Sequence, residues 1–324
     1  MASSKDRKHP YVDYASPTQT GKIPFTPPGT ELQCETAYWL WGDLARSKTP
    51  PLIVLHGGPG APGRDFNPLA AYLNDNYGIP VLLYDQIGCG ASTHLRDRRG
   101  DVEFWSDDLF FAELENVKTH LQINTFDLMG HSCGGMLTAM YMLKQPPHLR
   151  KVIIASAPAS DEQRREGFLQ TRRALPQRTQ DVLALCEKEG RTDAPEYRKA
   201  LDEVDKRFCR MNPWPPELRE CVALMDEDDT VGHTMYGDVP GETAGPRKYY
   251  DVRGRLGEVT DKTVPGGVLL TLGQYDIFSE EAMDPFATQI RAKVQRRTFE
   301  QSAHFPHIEE LEDYATTVAG FLTT

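Results

Sequence analysis

Three features are scarce or missing in this sequence of 324 residues, and each absence argues against a class of protein. No run of about 18 consecutive apolar residues occurs, so no membrane-spanning helix is expected. The opening stretch MASSKDRKHPYVDY has no apolar segment of the kind that a secretory signal peptide needs. Positive charge is in deficit, because the formal net charge is -11, and this argues against nucleic acid or an anionic membrane as the partner.

Paired cysteines are lacking as well. The six cysteines show no CxxC spacing, which is typical of free thiols in a reducing compartment rather than of a disulfide framework. They are Cys34, Cys89, Cys133, Cys186, Cys209 and Cys221. We therefore expect a cytoplasmic protein whose partner is a small molecule or a short peptide.

The apolar residues that are present indicate an α/β fold. A content of 39% hydrophobic and 26% charged residues suits a chain that buries a large core. Short apolar runs, each followed by glycine or a polar turn, alternate with helix-like stretches, and this predicts a mainly parallel sheet with helices on both faces. The runs cover residues 51–55, 81–84, 126–129, 152–155 and 268–272, and VQRRTFE, residues 294–300, is expected to be the final strand.

The alternation fails in the second half of the chain, where a charged, helical and then breaker-rich segment shows no strand pattern. We expect residues 159–250 to form a helical cap inserted over the strand ends, where open α/β sheets bind ligands. Residues 31–158 and 251–324 would then form the core. Residues 1–30, with their proline and threonine clusters, are expected to be a loose arm.

One short motif points to chemistry. GHSCG, from Gly130 to Gly134, satisfies G-x-S-x-G between an apolar run and a helix-like run, which is the setting of a strand-to-helix elbow that exposes a serine. Ser132 is therefore the candidate nucleophile, with helix capping as its alternative role. Cys133 is the rival nucleophile, but its place after the turn favours a backbone N–H that contributes to an oxyanion hole.

A serine nucleophile needs a base to accept its proton and an acid to orient that base. In folds that carry the serine on such an elbow, the acid follows the serine in the sequence and the histidine comes last. Asp276 directly follows a buried-looking run, so its carboxylate would emerge at the carboxyl end of a strand; an ordinary surface turn is the alternative. His304 lies in a late loop, whereas His307 precedes a helix-like run and is expected to be structural. Neither HExxH nor a cysteine pair accompanies these histidines, so no metal is expected.

The glycine-rich segment LHGGPGAPG, residues 55–63, follows the first apolar run of the core. A loop in this position supplies the second N–H of the oxyanion hole, and Gly58 is the candidate donor. A phosphate-binding loop is the alternative, but the segment lacks both a GK[ST] ending and GxGxxG spacing.

Taken together, these motifs resemble the proline iminopeptidases of the α/β-hydrolase fold, in order and in approximate separation. They are HGGPG (His56–Gly60), YDQIGCGAS (Tyr84–Ser92), GHSCGG (Gly130–Gly135), GQYD (Gly273–Asp276) and the late His304. The resemblance implies a helical cap, no cofactor, and a triad of Ser132, Asp276 and His304 with Gly58 and Cys133 as N–H donors. The implied activity is release of an N-terminal residue, typically proline, from short peptides, amino-acid amides or arylamides.

The chain departs from that family where a free amine would be bound. In some relatives an acid directly follows the triad aspartate, and here that position is Ile277. A second acid of the relatives lies in a segment that resembles MYGDVPGET, which offers Asp238 and Glu242 as ligands for an ammonium group inside a cap-covered pocket; solvated loop carboxylates are the alternative. Trp214, in the cap-like segment CRMNPWP, would wall the pocket or pack the cap.

Three functions stay open on the sequence. The first is a serine aminopeptidase or amidase for small substrates with a free amine. The second is an α/β-hydrolase for an ester, a lactone or a biosynthetic intermediate, since this scaffold hosts many reactions. The third belongs to another class, a noncatalytic ligand-binding protein.

Overall fold

The computed structural model describes residues 14–239 and 241–324. An eight-stranded sheet in the order β1-β2-β4-β3-β5-β6-β7-β8 forms its centre. The strands are β1 (Gln19–Phe25), β2 (Cys34–Trp41), β3 (Leu52–Leu55), β4 (Val81–Tyr84), β5 (Phe126–His131), β6 (Leu149–Ala155), β7 (Val268–Gly273) and β8 (Val294–Phe299). In this order every neighbouring pair from β4 to β8 is parallel, and the antiparallel pairs are β1–β2 and β2–β4. The predicted mainly parallel sheet is confirmed.

Helices cover both faces of this sheet. They are α1 (Asn67–Tyr77), α2 (Asp107–His120), α3 (Cys133–Leu143), α9 (Glu280–Gln289), α10 (Pro306–Glu309) and α11 (Leu311–Thr323). Short 3-10 turns lie at Gly63–Phe66, Arg96–Arg98, Pro246–Tyr249 and Leu256–Glu258. None of the helices in the described part of the chain combines the length and the apolar character that crossing a membrane requires.

Successive residues of a core strand point to opposite faces, and both faces are buried. Ile53 and Leu55 of β3 belong to the apolar cluster that contains residues of α2, α3 and α9. Leu52 and Val54 belong to the cluster that contains residues of α1 and α11. A strand buried on both sides has no polar face, and this is why such strands read as continuous apolar runs in the sequence.

Within the described residues, five helices follow one another between β6 and β7. They are α4 (Asp161–Arg173), α5 (Gln177–Lys188), α6 (Pro195–Asp205), α7 (Pro216–Glu227) and α8 (Thr230–Tyr236). The chain closes on itself at the two ends of this segment, because Ser160 and Asp251 form an antiparallel bridge. We propose that these helices are the cap predicted for residues 159–250, with the bridge as its base.

The edge of the sheet corrects the prediction of a loose arm. Residues 19–25 form β1, which pairs with β2 from Gln19↔Leu40 to Phe25↔Cys34. Ile23 and Phe25 are buried there. Gly21 and Pro24 break the alternation of polar and apolar residues that marks a strand, and an edge strand tolerates both. Residues 1–13 of the expected arm lie outside the described residues.

A buried carboxyl group on α2 supports the loop after β4. Glu113 is fully buried and accepts hydrogen bonds from Thr36 Oγ1 at 2.6 Å and from the N–H of Ile87 at 2.9 Å. Burial raises the pKa of Glu113 from 4.5 to about 8, although the two hydrogen bonds oppose that shift. The folded protein therefore holds this carboxyl group protonated over a pH range in which the unfolded chain ionises it.

We expect Glu113 to make the free energy of unfolding depend on pH. Because its pKa rises on folding, its stabilising contribution is complete below about pH 4.5 and is lost as the pH rises toward about 8. Relative to Glu113→Gln, the wild type should lose up to about 1.4 kcal/mol per pH unit in that interval. Urea unfolding of both proteins at several pH values measures the difference. Parallel pH curves would show that Glu113 is ionised in the folded protein.

Candidate active site

The turn between β5 and α3 holds Ser132 in a backbone conformation that residues other than glycine rarely adopt. Its φ is 53° and its ψ is -120°. A Cβ atom at Gly130 would lie 2.1 Å from the carbonyl oxygen of Gly134, and one at Gly134 would lie 2.1 Å from the carbonyl oxygen of Leu55. Only glycine fits at these two positions, so the spacing of the motif follows from the sharpness of the turn.

Asp276 and His304 come together after the two last strands of the sheet. His304 Nδ1 lies 2.8 Å from Asp276 Oδ1, and both side chains are buried. A carboxylate in this position accepts the Nδ1 proton, which leaves Nε2 of the neutral ring free to receive another. Aromatic side chains pack with their rings across the imidazole and keep it from bulk water: Phe208, Phe278 and Phe305.

His307 lies away from this pair. It is fully buried, its Nε2 lies 2.9 Å from Asp65 Oδ2, and its ring stacks on Phe66 at a centroid distance of 4.0 Å. These contacts give His307 a packing role next to the site.

The glycine-rich loop after β3 passes close to the elbow. A Cβ atom at Gly57 would lie 3.2 Å from Ser132 Cβ, and Gly58 has a φ of +110°. The thiol of Cys133 donates a hydrogen bond to the carbonyl oxygen of Gly58 at 2.9 Å. Burial raises the pKa of Cys133, which disfavours the thiolate that a cysteine nucleophile requires.

A cavity of about 500 Å³ lies between these loops and the helices α4, α6, α7 and α8. It contains every predicted site residue except Asp276, which is buried behind His304. The predicted residues that line it are Gly58, Ser132, Cys133, Trp214, Asp238, Glu242 and His304. Trp214 also packs on the apolar cluster that contains Cys209 and Leu218.

Comparisons with known proteins show which family this chain resembles. A model of the α/β hydrolase fold matches residues 50–311. A proline iminopeptidase of Heyndrickxia coagulans is 31% identical over 85% of this chain and 91% of its own length. The solved structure of the Mycobacterium smegmatis proline iminopeptidase has a TM-score of 0.81 and 35% identity, covering 94% of this chain and 98% of its own. The crystal structure of VinJ has a TM-score of 0.85 and 33% identity, covering 95% and 99%.

The chain belongs to the proline iminopeptidase family of α/β hydrolases. The predicted fold and the predicted enzyme class, a hydrolase of the proline iminopeptidase type, are confirmed.

Asp238 and Glu242, the two candidates for binding a substrate amine in this chain, differ in their surroundings. Asp238 is exposed and already has two partners, a short contact with His233 Nδ1 and Arg99 Nη2 at 3.7 Å. The Glu242 carboxylate has no hydrogen-bond or ion-pair partner among the residues that the structure describes, and its main-chain oxygen accepts a hydrogen bond from Arg164 at 3.0 Å. Glu242 is exposed, which differs from the expected enclosed position.

Besides Asp65, which pairs with His307, three further acids line the cavity that the sequence motifs do not identify. They are Asp202 and Asp205 of α6 and Asp226 of α7. Asp205 is exposed at the cavity surface, yet the protein around it removes part of its solvation and, with the charges of Asp202 and Asp226, raises the pKa of Asp205 to about 6. Their spacing is the feature of the sequence that could have indicated Asp202 and Asp205. Residues three apart on a helix share one face, and these two acids lie on either side of the buried Val204 in the sequence.

A cluster of possible metal ligands lies at the start of α8. Ligand atoms of Asp229, His233 and Asp238 all lie within 4.8 Å of one another. Arg99 donates two hydrogen bonds to Asp229, at 2.9 and 2.8 Å, and its guanidinium group neutralises the carboxylate. The cluster therefore joins α8 to the loop that contains Arg99.

Proposed function

We propose that this protein is a serine aminopeptidase that releases an N-terminal, proline-like residue from small peptides, amino-acid amides or arylamides through an acyl-enzyme. The observation that carries the proposal is the hydrogen bond between the buried Asp276 and Nδ1 of His304, a histidine that lines the same cavity as Ser132. A cavity of about 500 Å³ suits a small molecule or a short peptide. All six cysteines are free and buried, which supports a cytoplasmic location.

The proposed reaction uses each group at a defined atom. Ser132 Oγ attacks the substrate carbonyl carbon while His304 Nε2 takes the hydroxyl proton, and Asp276 stabilises the imidazolium that forms. The N–H groups of Gly58 and Cys133 stabilise the oxyanion. His304 then gives its proton to the leaving amine, and the C–N bond breaks. Water, deprotonated by His304, hydrolyses the resulting ester and frees Ser132.

The charge of the cavity favours a cationic substrate. Six carboxylates line it, whereas Arg164 is the only arginine or lysine among the lining residues that the structure describes. Arg164 is itself paired with Asp161 at 2.7 Å. An excess of one charge sign in a cleft raises the local concentration of the opposite charge. The acids are Asp65, Asp202, Asp205, Asp226, Asp238 and Glu242.

Glu242→Gln tests whether an acid binds the substrate amine, because the change keeps size and removes charge. A charge-assisted hydrogen bond in a partly exposed position is worth about 1.5 kcal/mol, so kcat/KM for a prolyl arylamide should fall about tenfold. Hydrolysis of an amine-free aryl ester by the same variant is the control and should stay within about twofold.

Asp238→Asn, measured in parallel, examines the other acid of the segment. We expect a smaller effect, because Arg99 and His233 already engage that carboxylate. If neither variant separates prolyl arylamide from amine-free ester, the amine-recognition proposal fails.

A second candidate function has its own observation. Ile277 stands in the lining where some relatives carry an acid, and much of the remaining wall is apolar. An ester, lactone or biosynthetic intermediate without a free amine would suit that wall. Equal loss of arylamide and ester turnover in Glu242→Gln would favour this second function.

A further inference from the structure

A buried carboxylate holds the backbone on both sides of His304. Glu309 is the last residue of α10 and is 7% exposed. Its Oε2 accepts hydrogen bonds from the N–H groups of Ala303 at 2.8 Å and Phe305 at 3.3 Å. These two peptides flank His304, so the carboxylate fixes the main chain from which the imidazole projects.

The other oxygen of the same carboxylate binds the cap. Glu309 Oε1 accepts a hydrogen bond from the N–H of Arg210 at 2.6 Å. Arg210 lies between α6 and α7, close in sequence to Phe208. A single side chain thus joins the loop of His304 to the segment 208–210 of the cap.

The main chain of His304 also makes hydrogen bonds, one to the cap and one to the elbow. Its N–H donates to the carbonyl oxygen of Phe208 at 2.9 Å, and its carbonyl oxygen lies 2.7 Å from His131 Nε2. The ring of Phe208 also packs against the imidazole, with 5.4 Å between ring centroids. A displacement of segment 208–210 would therefore disturb both the main chain and the ring of His304.

The hydrogen bonds of Glu309 favour one fixed position of the His304 loop and of segment 208–210. A buried carboxylate is costly unless hydrogen bonds offset its lost solvation. Three backbone N–H groups offset part of that cost here, although burial still raises the pKa of Glu309. Removing one acceptor would leave at least one of these N–H groups buried without a partner, which destabilises this arrangement. The loop and the cap segment would then relax to find other partners.

We propose that Glu309 is a positioning residue that holds His304 in its reactive orientation and makes this orientation depend on the seating of segment 208–210 of the cap. The inference rests on the proposed role of His304 as the base. It does not involve Glu242 or any other acid that would bind a substrate amine.

Glu309→Gln tests the proposal, because both oxygens of Glu309 accept hydrogen bonds from backbone N–H groups. Glutamine keeps one of these acceptors and places an NH2 group, itself a donor, where the other one was. We expect kcat to fall about ten- to a hundredfold on both prolyl arylamide and amine-free aryl ester, with KM changed less than about threefold. The rate at which a fluorophosphonate labels Ser132 should fall by a similar factor, since labelling needs the base and no amine.

Glu310→Gln is the matched control. Glu310 is the next residue and holds the same loop further from His304, through the N–H of Gln301 at 2.9 Å and the hydroxyl of Ser302 at 2.5 Å. We expect its labelling rate and kcat to stay within about threefold of wild type. A downfield proton resonance of His304 Nδ1–H should persist in Glu310→Gln and broaden in Glu309→Gln.

The outcomes are distinguishable. Wild-type rates in Glu309→Gln, or equal losses in Glu309→Gln and Glu310→Gln, would overturn the positioning role. Should Glu309→Gln not fold, Glu309→Asp decides by the same measurements, because it keeps the charge but is too short to reach both the loop and the cap. A wild type that hydrolyses only esters removes the aminopeptidase proposal and leaves this one intact, whereas a wild type that no fluorophosphonate labels removes both.

Discussion

Ser132→Ala should abolish turnover of both arylamides and esters while the protein remains folded. Without the hydroxyl group, His304 has no nucleophile to activate, and knocking out a triad serine in a related mechanism costs about a millionfold in kcat. The fold should persist, because Ser132 Oγ faces the cavity and its side chain makes no cap hydrogen bond to α3. Steady-state rates on a prolyl arylamide and an aryl ester, with a thermal unfolding curve for each protein, provide the measurement.

Cys133→Ala is the companion variant for that experiment. The backbone N–H that would stabilise the oxyanion survives the change. The contact of the thiol with the hydroxyl of Tyr236 at 3.3 Å and its hydrogen bond to the carbonyl oxygen of Gly58 are lost, and only the latter reaches the loop of the oxyanion hole. A neutral hydrogen bond is worth about 1 kcal/mol, so we expect at most about a fivefold loss of kcat. If Cys133→Ala were folded and as inactive as Ser132→Ala, the thiol would have a role in the reaction beyond the backbone N–H of Cys133.

Asp276→Asn should lower kcat about ten-thousandfold with little change in the fold. An asparagine presents an NH2 group toward His304 Nδ1 and favours the tautomer whose Nε2 is protonated and cannot accept the proton of Ser132. Rates on an aryl ester across about pH 6 to 9 measure this effect without any contribution from amine binding.

Asp284→Asn serves as the matched control for Asp276→Asn. Asp284 is an exposed acid of α9 that pairs with Arg296 at 2.6 Å, so its loss should leave turnover unchanged. A loss of less than about tenfold in Asp276→Asn would mean that His304 does not depend on that carboxylate for its tautomer.

The sequence predicts those parts of this protein whose structure depends on neighbouring residues in the chain, such as buried strands and tight turns. The runs at 52–55, 81–84 and 268–273 read as strands because burial on both faces requires an unbroken apolar sequence. The elbow is readable because the close approach of Gly130 and Gly134 to the neighbouring backbone requires glycine. The edge strand β1 is not readable in this way, since its pairing with β2 depends on a neighbour rather than on its own pattern.

The parts that the sequence does not predict depend on contacts between distant segments. Arg99 lies beside Asp238, which makes Asp238 the weaker candidate for binding a substrate amine. The two residues are far apart in the sequence, so no local pattern predicts their contact. Asp202 and Asp226 reach the cavity only because α6 and α7 are oriented by the packing of the cap. The clamp that Glu309 forms with Arg210 joins residues 99 positions apart.

The most direct test of the central claim is to trap the acyl-enzyme and locate it. Wild-type protein mixed with a prolyl aryl ester and quenched in acid within milliseconds should gain the mass of one prolyl group. Fragmentation of the peptide that contains residues 126–143 should place this group on Ser132, and the adduct should be absent from Ser132→Ala. A prolyl group on Cys133, or release of product by an enzyme that never carries a prolyl group, would contradict the account.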